Sequence, residues 1–324
     1  MRSSVIGSGS FGTALANSLA VNCEEVSLWG RDAALAEAIN TRHENATYLP
    51  GIPLSPRVRA TLSLEEALAG AELVVLATPS HATRDIVSRA LPALPRHVPL
   101  ITVAKGIENE SLLTMTELLE DCLPEEFHPY IAVLSGPSFA RELALRSPTV
   151  VTIASHWEKV AVRCQKVLQT ETFRSYTSND VVGVQYGGAL KNVIAIAAGI
   201  ADGLGMGHNA RAAIITRGLA EITRLAVRKG GNPLTLSGLS GMGDLVLTCT
   251  GELSRNRRVG MELGKGRQLA DVLGEMKQVA EGVKTGVELP ICQQVYAIAY
   301  EGKSAKHAVV DLMTRQPKSE LSGG

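Results

Sequence analysis

Lys191 and Asn192 interrupt an otherwise small, apolar run, LKNVIAIAAGIA, from Leu190 to Ala201. An ammonium group there has two explanations. Its head can snorkel to water along its own stem near a helix end, or it can sit in a dry cleft and move a proton. Desolvation makes a lysine release its proton more readily, and a second cation nearby strengthens the effect. Lys105 raises the same question, because it closes the apolar run Leu100 to Ala104 at a strand end. Either lysine could shuttle the proton of a carbonyl–alcohol interconversion. Histidine is the commoner choice for that task, but no relay is evident: His43, His97, His128, His156 and His307 lie in polar or loop contexts, and His81 and His208 stand beside loops without support.

A further cluster is SGMGDLVLTCTGELSRNRR. Asp244 follows a glycine turn, Thr248 and Thr250 follow apolar positions, and Ser254, Arg255, Asn256, Arg257 and Arg258 come next. Guanidinium groups with hydroxyl and amide neighbours at a helix start suit a phosphate, through charge-assisted bonds and free amides together. They equally suit a solvated basic loop.

Something must carry the hydride if these groups move protons, and the N-terminus supplies a candidate binder. In VIGSGSFGTALANSLA, Gly7, Gly9 and Gly12 stand in G-x-G-x-x-G register, directly after a strand and at the opening of an Ala-rich helix. The three glycines allow a tight turn, backbone contact with a pyrophosphate and close helix packing, while the helix N-terminus points free amides at the anion. A nicotinamide dinucleotide is the expected cofactor. The second strand, EVSLWG, ends at Arg31 and Asp32 rather than directly at a carboxylate. Arg31 is either a surface arginine or a partner for a 2′-phosphate, in which case NADPH is accepted alongside NADH or preferred to it.

The elements positioning these residues change character along the chain. Strand-like runs at Ser4–Ile6, Glu25–Trp29, Leu73–Ala77, Leu100–Ala104, Ile131–Leu134 and Val150–Ile153 alternate with helical patterns, which is the sequence form of a parallel sheet covered by helices. In such sheets ligands gather outside the carboxyl ends of the strands. After about Phe173–Tyr176 strand-like runs stop, and helices are expected over Asp180–Asp202, Ala210–Lys229, Arg257–Leu263, Leu269–Met276 and Ile291–Tyr300. The fold class is therefore α/β plus all-α: residues 1–180 form a dinucleotide-binding domain with a doubly wound parallel sheet, and residues 181–324 a helical substrate domain with Lys191 near the interdomain cleft.

Composition narrows the partners. With 32 Lys and Arg against 32 Asp and Glu the formal net charge is +0, so there is no basic excess of the kind nucleic acids or anionic membranes attract. Any anion must be met by a local site. The five cysteines are scattered without metal-ligand spacing, which points to a reducing compartment and no zinc. Val5 and Ile6 follow the first methionine too closely for a signal peptide, and the longest apolar run, Val193–Ala201, is too short to span a bilayer. A cytoplasmic protein without stable membrane insertion is expected.

Taken together, GSGSFGTALA, VAKG, LSGPSFARE, GGALKNVIAIAAGIADGLGMGHNARAAIITRGLAE, GDLVLTCTGELSRNRR and VAEGVKT resemble bacterial NAD(P)-dependent glycerol-3-phosphate dehydrogenases, from Val5 to roughly the end of the chain. The resemblance implies a Rossmann-like domain followed by a helical domain, usually in a homodimer. It also implies interconversion of sn-glycerol 3-phosphate and dihydroxyacetone phosphate, which supplies the backbone of glycerophospholipids. By the same analogy Lys191 accepts the proton and its ammonium form donates it in reduction, Lys105 helps hold substrate and cofactor, and Asp244 orients a lysine. Asn192, Asp244 and Thr248 line the site, Ser254, Arg255 and Asn256 clamp the substrate phosphate, and Gly136 and Ser138 contact substrate. Besides the three glycines, the cofactor set becomes Ser10, Phe11, Arg31, Lys105, Ala140, Arg255, Val279 and Glu281. One departure stands out: between Val279-Ala280-Glu281-Gly282 and Val287 the chain is shorter than its relatives by about three helical turns, either as a clipped helix or as a stretch left out of the sequence as written.

Two other functions remain in view on the residues. A hydroxyacid or sugar-acid dehydrogenase on the same plan would need a carboxylate pocket, which the SRNRR cluster does not suggest. A silent NADPH-binding regulator would not require Lys105, Lys191 and Asp244.

Overall fold

A computed structural model describes residues 1–267 and 287–315, and the chain divides into two compact units, Met1–Val181 and Val182–Gly324. The first unit is built on eight strands: β1 (Arg2–Ile6), β2 (Glu25–Trp29), β3 (Val58–Thr61), β4 (Leu73–Leu76), β5 (Leu100–Thr102), β6 (Ile131–Ser135), β7 (Thr149–Ala154) and β8 (Phe173–Ser178). They form one sheet in the order β3-β2-β1-β4-β5-β6-β7-β8. Side chains alternate across it. Val5, Leu28, Leu73 and Val75 join a core beneath α1 (Ser10–Leu19), while Ile6, Trp29, Val74 and Leu76 join a second core on the other face. Burial on both faces explains why these strands read as continuous apolar runs.

Two features depart from the sequence expectation. The sheet is not wholly parallel, because β6 and β7 pair antiparallel, with Leu134 opposite Ile153; only thirteen residues, 136–148, join them, which suffices for a short helix and a reversal. The strand β3, VRAT, is absent from the expected set. It holds one buried valine and two partly exposed residues, too little apolar character to stand out, and exists because it pairs in parallel with β2 at the sheet edge.

Between the strands run α2 (Ala33–Arg42), α3 (Leu64–Leu68), α4 (Ser80–Ala90), α5 (Met115–Cys122), α6 (Ala140–Ala144) and α7 (Glu158–Leu168). Chain order reverses between β1 and β4, whose ends Ile6 and Leu76 are register partners. That reversal is where an α/β sheet opens a ligand crevice, and the glycine loop leaves β1 at this point.

The second unit is helical throughout its described residues: α8 (Val181–Gly203), α9 (Gly207–Arg228), α10 (Pro233–Leu236), α11 (Asp244–Thr250), α12 (Arg255–Gly264), α13 (Pro290–Tyr300) and α14 (Ala305–Met313). The expected helix at Leu269–Met276 lies outside the described residues. Helix α8 runs well past the apolar stretch Val193–Ala201 and is long and apolar enough to cross a membrane by length and composition, yet 89% of its most apolar window is buried inside the protein. It is the core around which the unit packs.

Glycines set how closely. A Cβ on Gly199 of α8 would lie 2.1 Å from the Arg257 carbonyl oxygen, and one on Gly260 of α12 would lie 2.1 Å from the Ile196 oxygen. The backbones of α8 and α12 therefore touch, with Gly203 and Gly264 continuing the seam. On another side Gly187 packs against Ser240 and Gly241, where a Cβ would meet the Ser240 oxygen at 2.4 Å. Larger side chains would force these helices apart, and with them every polar group they carry.

Candidate active site

In the helical unit the sequence-singled residues meet. Lys191, one turn beyond Gly187, is buried, and so are Asp244 and Thr248. Its Nζ is ion-paired with Asp244 Oδ1 and donates to Thr248 Oγ1 at 3.0 Å. The Thr248 hydroxyl in turn donates to the Asp244 carbonyl oxygen at 2.7 Å, so its lone pairs face the ammonium group. Asp244 opens α11, and the short turn Leu239–Gly243 before it is the one wedged against Gly187. The same close approach that lets the helices touch thus delivers the carboxylate to the lysine. Snorkelling does not describe Lys191: its side chain is 9% exposed and its head is held by two partners.

Cys249 lies beside this group. Burial pushes its thiol up to about 12, against the pull of the neighbouring Lys191 ammonium. It is protonated at neutral pH and unsuited to act as a nucleophile.

The SRNRR run divides by role. Asn256 Nδ2 donates to Asn192 Oδ1 at 2.8 Å, which places the amide beside Lys191 and the start of α12 together. Ser254 is buried and caps α12, its hydroxyl oxygen accepting from the Arg257 N–H at 3.2 Å. Arg257 points inward, where Nε donates to Asp202 Oδ2 at 2.8 Å and Nη2 pairs with it at 2.7 Å. Arg211 reaches both oxygens of the same carboxylate at 3.2 Å. Arg255 and Arg258 remain exposed. The run is therefore neither a wholly solvated loop nor a uniform anion clamp: one arginine anchors the helix and Arg255 is left at its first turn, where free amides and the helix dipole favour an anion.

In the first unit the glycine loop fits a dinucleotide. Gly7 has φ +126°, and a Cβ on it would lie 2.5 Å from the Ala77 oxygen. A Cβ on Gly12 would lie 2.0 Å from the Gly7 oxygen, whereas one on Gly9 would meet nothing within 4 Å. Gly7 and Gly12 close the turn, and Gly9 faces open space where a pyrophosphate can approach the backbone. The first bond into α1 from outside it runs from Thr13 N–H to the Gly9 oxygen, so the N–H groups of Ser10, Phe11 and Gly12 precede the helical ladder. Phe11 packs its ring partly against the core under the sheet.

The other loop residues assemble around one carbonyl. Lys105 Nζ and the Ser138 hydroxyl both donate to the Gly136 oxygen, at 2.9 and 3.0 Å. Gly136 follows β6 with φ +145°, and a Cβ there would lie 2.9 Å from Val151 Cα, so the carbonyl is fixed by backbone packing. Ala140 begins α6 just beyond. Arg31 is exposed after β2, while the Asp32 carboxylate is occupied in capping α2, accepting from Leu35 N–H at 3.1 Å. Val279 and Glu281 lie outside the described residues.

Three supporting contacts escape sequence reading. Arg84 of α4 forms a two-pronged bond with Glu108, at 2.9 and 2.8 Å, and reaches Asp121 at 2.6 Å, tying down the loop that carries Lys105. Its guanidinium holds the Glu108 carboxyl below the usual range. Asp202 anchors Arg257 as described. Asn45 grips the glycine loop itself. None has a local signal, because each partner lies tens of residues away.

Comparison with known proteins matches both halves. Residues 3–161 fit the model for the N-terminus of NAD-dependent glycerol-3-phosphate dehydrogenase, and residues 180–310 that for its C-terminus. A glycerol-3-phosphate dehydrogenase (NAD(P)+) of Myxococcus xanthus is 81% identical over the whole of both chains, in an alignment of 334 positions against the 324 residues here. That of Anaeromyxobacter dehalogenans is 54% identical across 99% of this chain and all of its own. The crystal structure of glycerol-3-phosphate dehydrogenase from Coxiella burnetii superimposes with a TM-score of 0.90 at 35% identity, covering 97% of this chain and 99% of that one.

Proposed function

The chain belongs to the NAD-dependent glycerol-3-phosphate dehydrogenase family, and from that premise we propose how its residues perform the reaction. The enzyme interconverts sn-glycerol 3-phosphate and dihydroxyacetone phosphate with NAD(H) or NADP(H). The bound nicotinamide cofactor gives or takes the hydride.

Lys191 serves as the acid and base. In oxidation its amine accepts the proton of the substrate's secondary hydroxyl, and in reduction its ammonium group donates to the carbonyl oxygen. Asp244 stabilises the ammonium form and, with Thr248, fixes the direction of Nζ. The observation that carries this reading is the buried Lys191–Asp244–Thr248 group: a charged pair taken out of water is costly to maintain and gains little stability over an apolar pair, so a chemical task accounts for it best. Arg255 meets the substrate phosphate at the first turn of α12, with Asn256 and the Ser254 cap shaping that turn and Asn192 holding Asn256. Residues 1–180 bind the dinucleotide through Gly7, Gly9, Ser10, Phe11 and Gly12, with Arg31 at the adenosine end, and Lys105, Gly136, Ser138 and Ala140 supply substrate and cofactor contacts from the loops of the same sheet. Residues 181–324 act as the catalytic domain.

The product supplies glycerophospholipid synthesis, and the enzyme works as a cytoplasmic homodimer; the family resemblance and five unpaired cysteines support this setting. The test is oxidation of NADPH and NADH followed by absorbance with dihydroxyacetone phosphate. Lys191→Ala should lose most turnover while retaining cofactor binding, and near-normal turnover in that variant would refute the role.

A further inference from the structure

The segment between α2 and β3 is a strap fastened across α1. Leu54 N–H donates to the His43 oxygen at 2.7 Å, Gly51 N–H to Glu44 Oε1 at 3.0 Å, and Asn17 both donates to the Pro53 oxygen and accepts from Ser55 N–H. At its centre Asn45 is wholly buried. Its amide donates to the Ser8 carbonyl oxygen at 2.9 Å and to Thr13 Oγ1 at 2.7 Å, and its Oδ1 accepts from Tyr48 N–H at 3.0 Å. Thr13 Oγ1 passes the contact on, donating to the same Ser8 oxygen at 3.2 Å. The Ser10 hydroxyl reaches back to the Tyr48 oxygen at 2.7 Å.

Ser8 stands between Gly7 and Gly9. Its carbonyl and the Gly9 N–H belong to one planar trans peptide, so they point in opposite directions. With two donors holding the carbonyl on the Asn45 side, the Gly9 N–H points away from them, and the position a Cβ on Gly9 would occupy is also open. A loosened peptide could turn its oxygen toward a bound pyrophosphate and repel it.

We propose that Asn45 is a positioning residue for cofactor binding, holding the Ser8–Gly9 peptide in the orientation that presents Gly9 N–H to the dinucleotide pyrophosphate. Asn45 touches neither cofactor nor substrate in this role; it acts through Ser8 and Thr13. The inference uses the family's cofactor and the geometry of the glycine loop, and is independent of the roles given to Lys191 and Arg255.

The experiment compares Asn45→Asp and Thr13→Val with the parent. Aspartate keeps the size and still accepts from Tyr48 N–H, but it cannot donate to Ser8. NADPH binding is titrated by fluorescence without substrate, and kcat and both KM values are measured separately. Each variant should raise the NADPH Kd and KM about tenfold, as expected for one misdirected hydrogen bond to a charged group. Values of kcat at saturating cofactor and of KM for dihydroxyacetone phosphate should stay near those of the parent. The double variant should be little worse than either single one, because both act on one peptide. Unchanged NADPH affinity in a folded Asn45→Asp protein would overturn the proposal. So would a fall in kcat and a rise in substrate KM that accompany the loss of affinity, or fully additive effects.

Discussion

Lys191 and Asp244, 53 residues apart, form a buried ion pair that a glycine contact brings together: Gly187, one turn before the lysine, lies against the turn that leads into Asp244. The two partners have different duties, and substitution separates them. Lys191→Met removes the proposed proton donor and should lower kcat by about 100- to 10,000-fold while NADPH binding stays intact. Asp244→Asn leaves the lysine but takes away its counter-charge. Breaking one side of a buried pair costs about 3–5 kcal/mol, so this variant should lose both stability and turnover. Thermal melts beside single-turnover rates resolve the two, and a Lys191→Met enzyme with parental kcat would remove the lysine from the mechanism.

Arg255 and Arg257 are two positions apart on α12 and face different environments. Arg255→Ala should raise KM for dihydroxyacetone phosphate about 10- to 100-fold with little change in melting temperature, since a bond to a charged group is worth about 1.5–3 kcal/mol. Arg257→Ala should do the reverse first, lowering the melting temperature by leaving the mostly buried Asp202 with Arg211 alone. A Michaelis constant unaffected by Arg255→Ala would show that the phosphate binds elsewhere.

That division marks the limit of what the sequence discloses. The glycine loop was legible because its register is local: Gly7, Gly9 and Gly12 lie within one turn and each has its own steric reason. Lys191 was legible because a charge in an apolar run is anomalous on its face. Which arginine of SRNRR turns inward depends on Asp202, a helix away, and the grip of Asn45 on Ser8 depends on a fold that returns the chain across α1. Likewise β3 is a strand through pairing with β2 rather than through its own four residues, and β6 and β7 are antiparallel because of the short connection between them. Periodicity registers none of these.

Arg31 stands exposed beside a carboxylate already committed to capping α2. Asp32 is thereby held to the Leu35 N–H, which limits its reach as a ribose acceptor. Arg31→Ala should raise the KM for NADPH about tenfold, as for one lost charge-assisted bond, and leave NADH within about twofold. Raising salt should weaken the parent's binding of NADPH more than its binding of NADH, because an exposed charge pair is screened. Equal effects on the two cofactors would assign Arg31 to the surface.

Glu221 of α9 is buried where α13 begins, accepting from Ile291 N–H at 2.8 Å and from Cys292 N–H at 3.4 Å. Burial pushes its carboxyl up to about 7, with the two backbone donors and Arg224 pulling down. Between the ordinary carboxylate value of about 4.3 and about 7 the folded protein holds a proton that the unfolded chain has released, so stability from this group falls as pH rises through that window and is flat above it. Glu221→Gln keeps the shape and one acceptor but cannot ionise. Its melting temperature relative to the parent should therefore climb between pH 5 and pH 8, on the order of several degrees for a shift worth a few kcal/mol. A difference between the two proteins that stays constant with pH would mean that the two amide donors, rather than burial, govern this carboxyl.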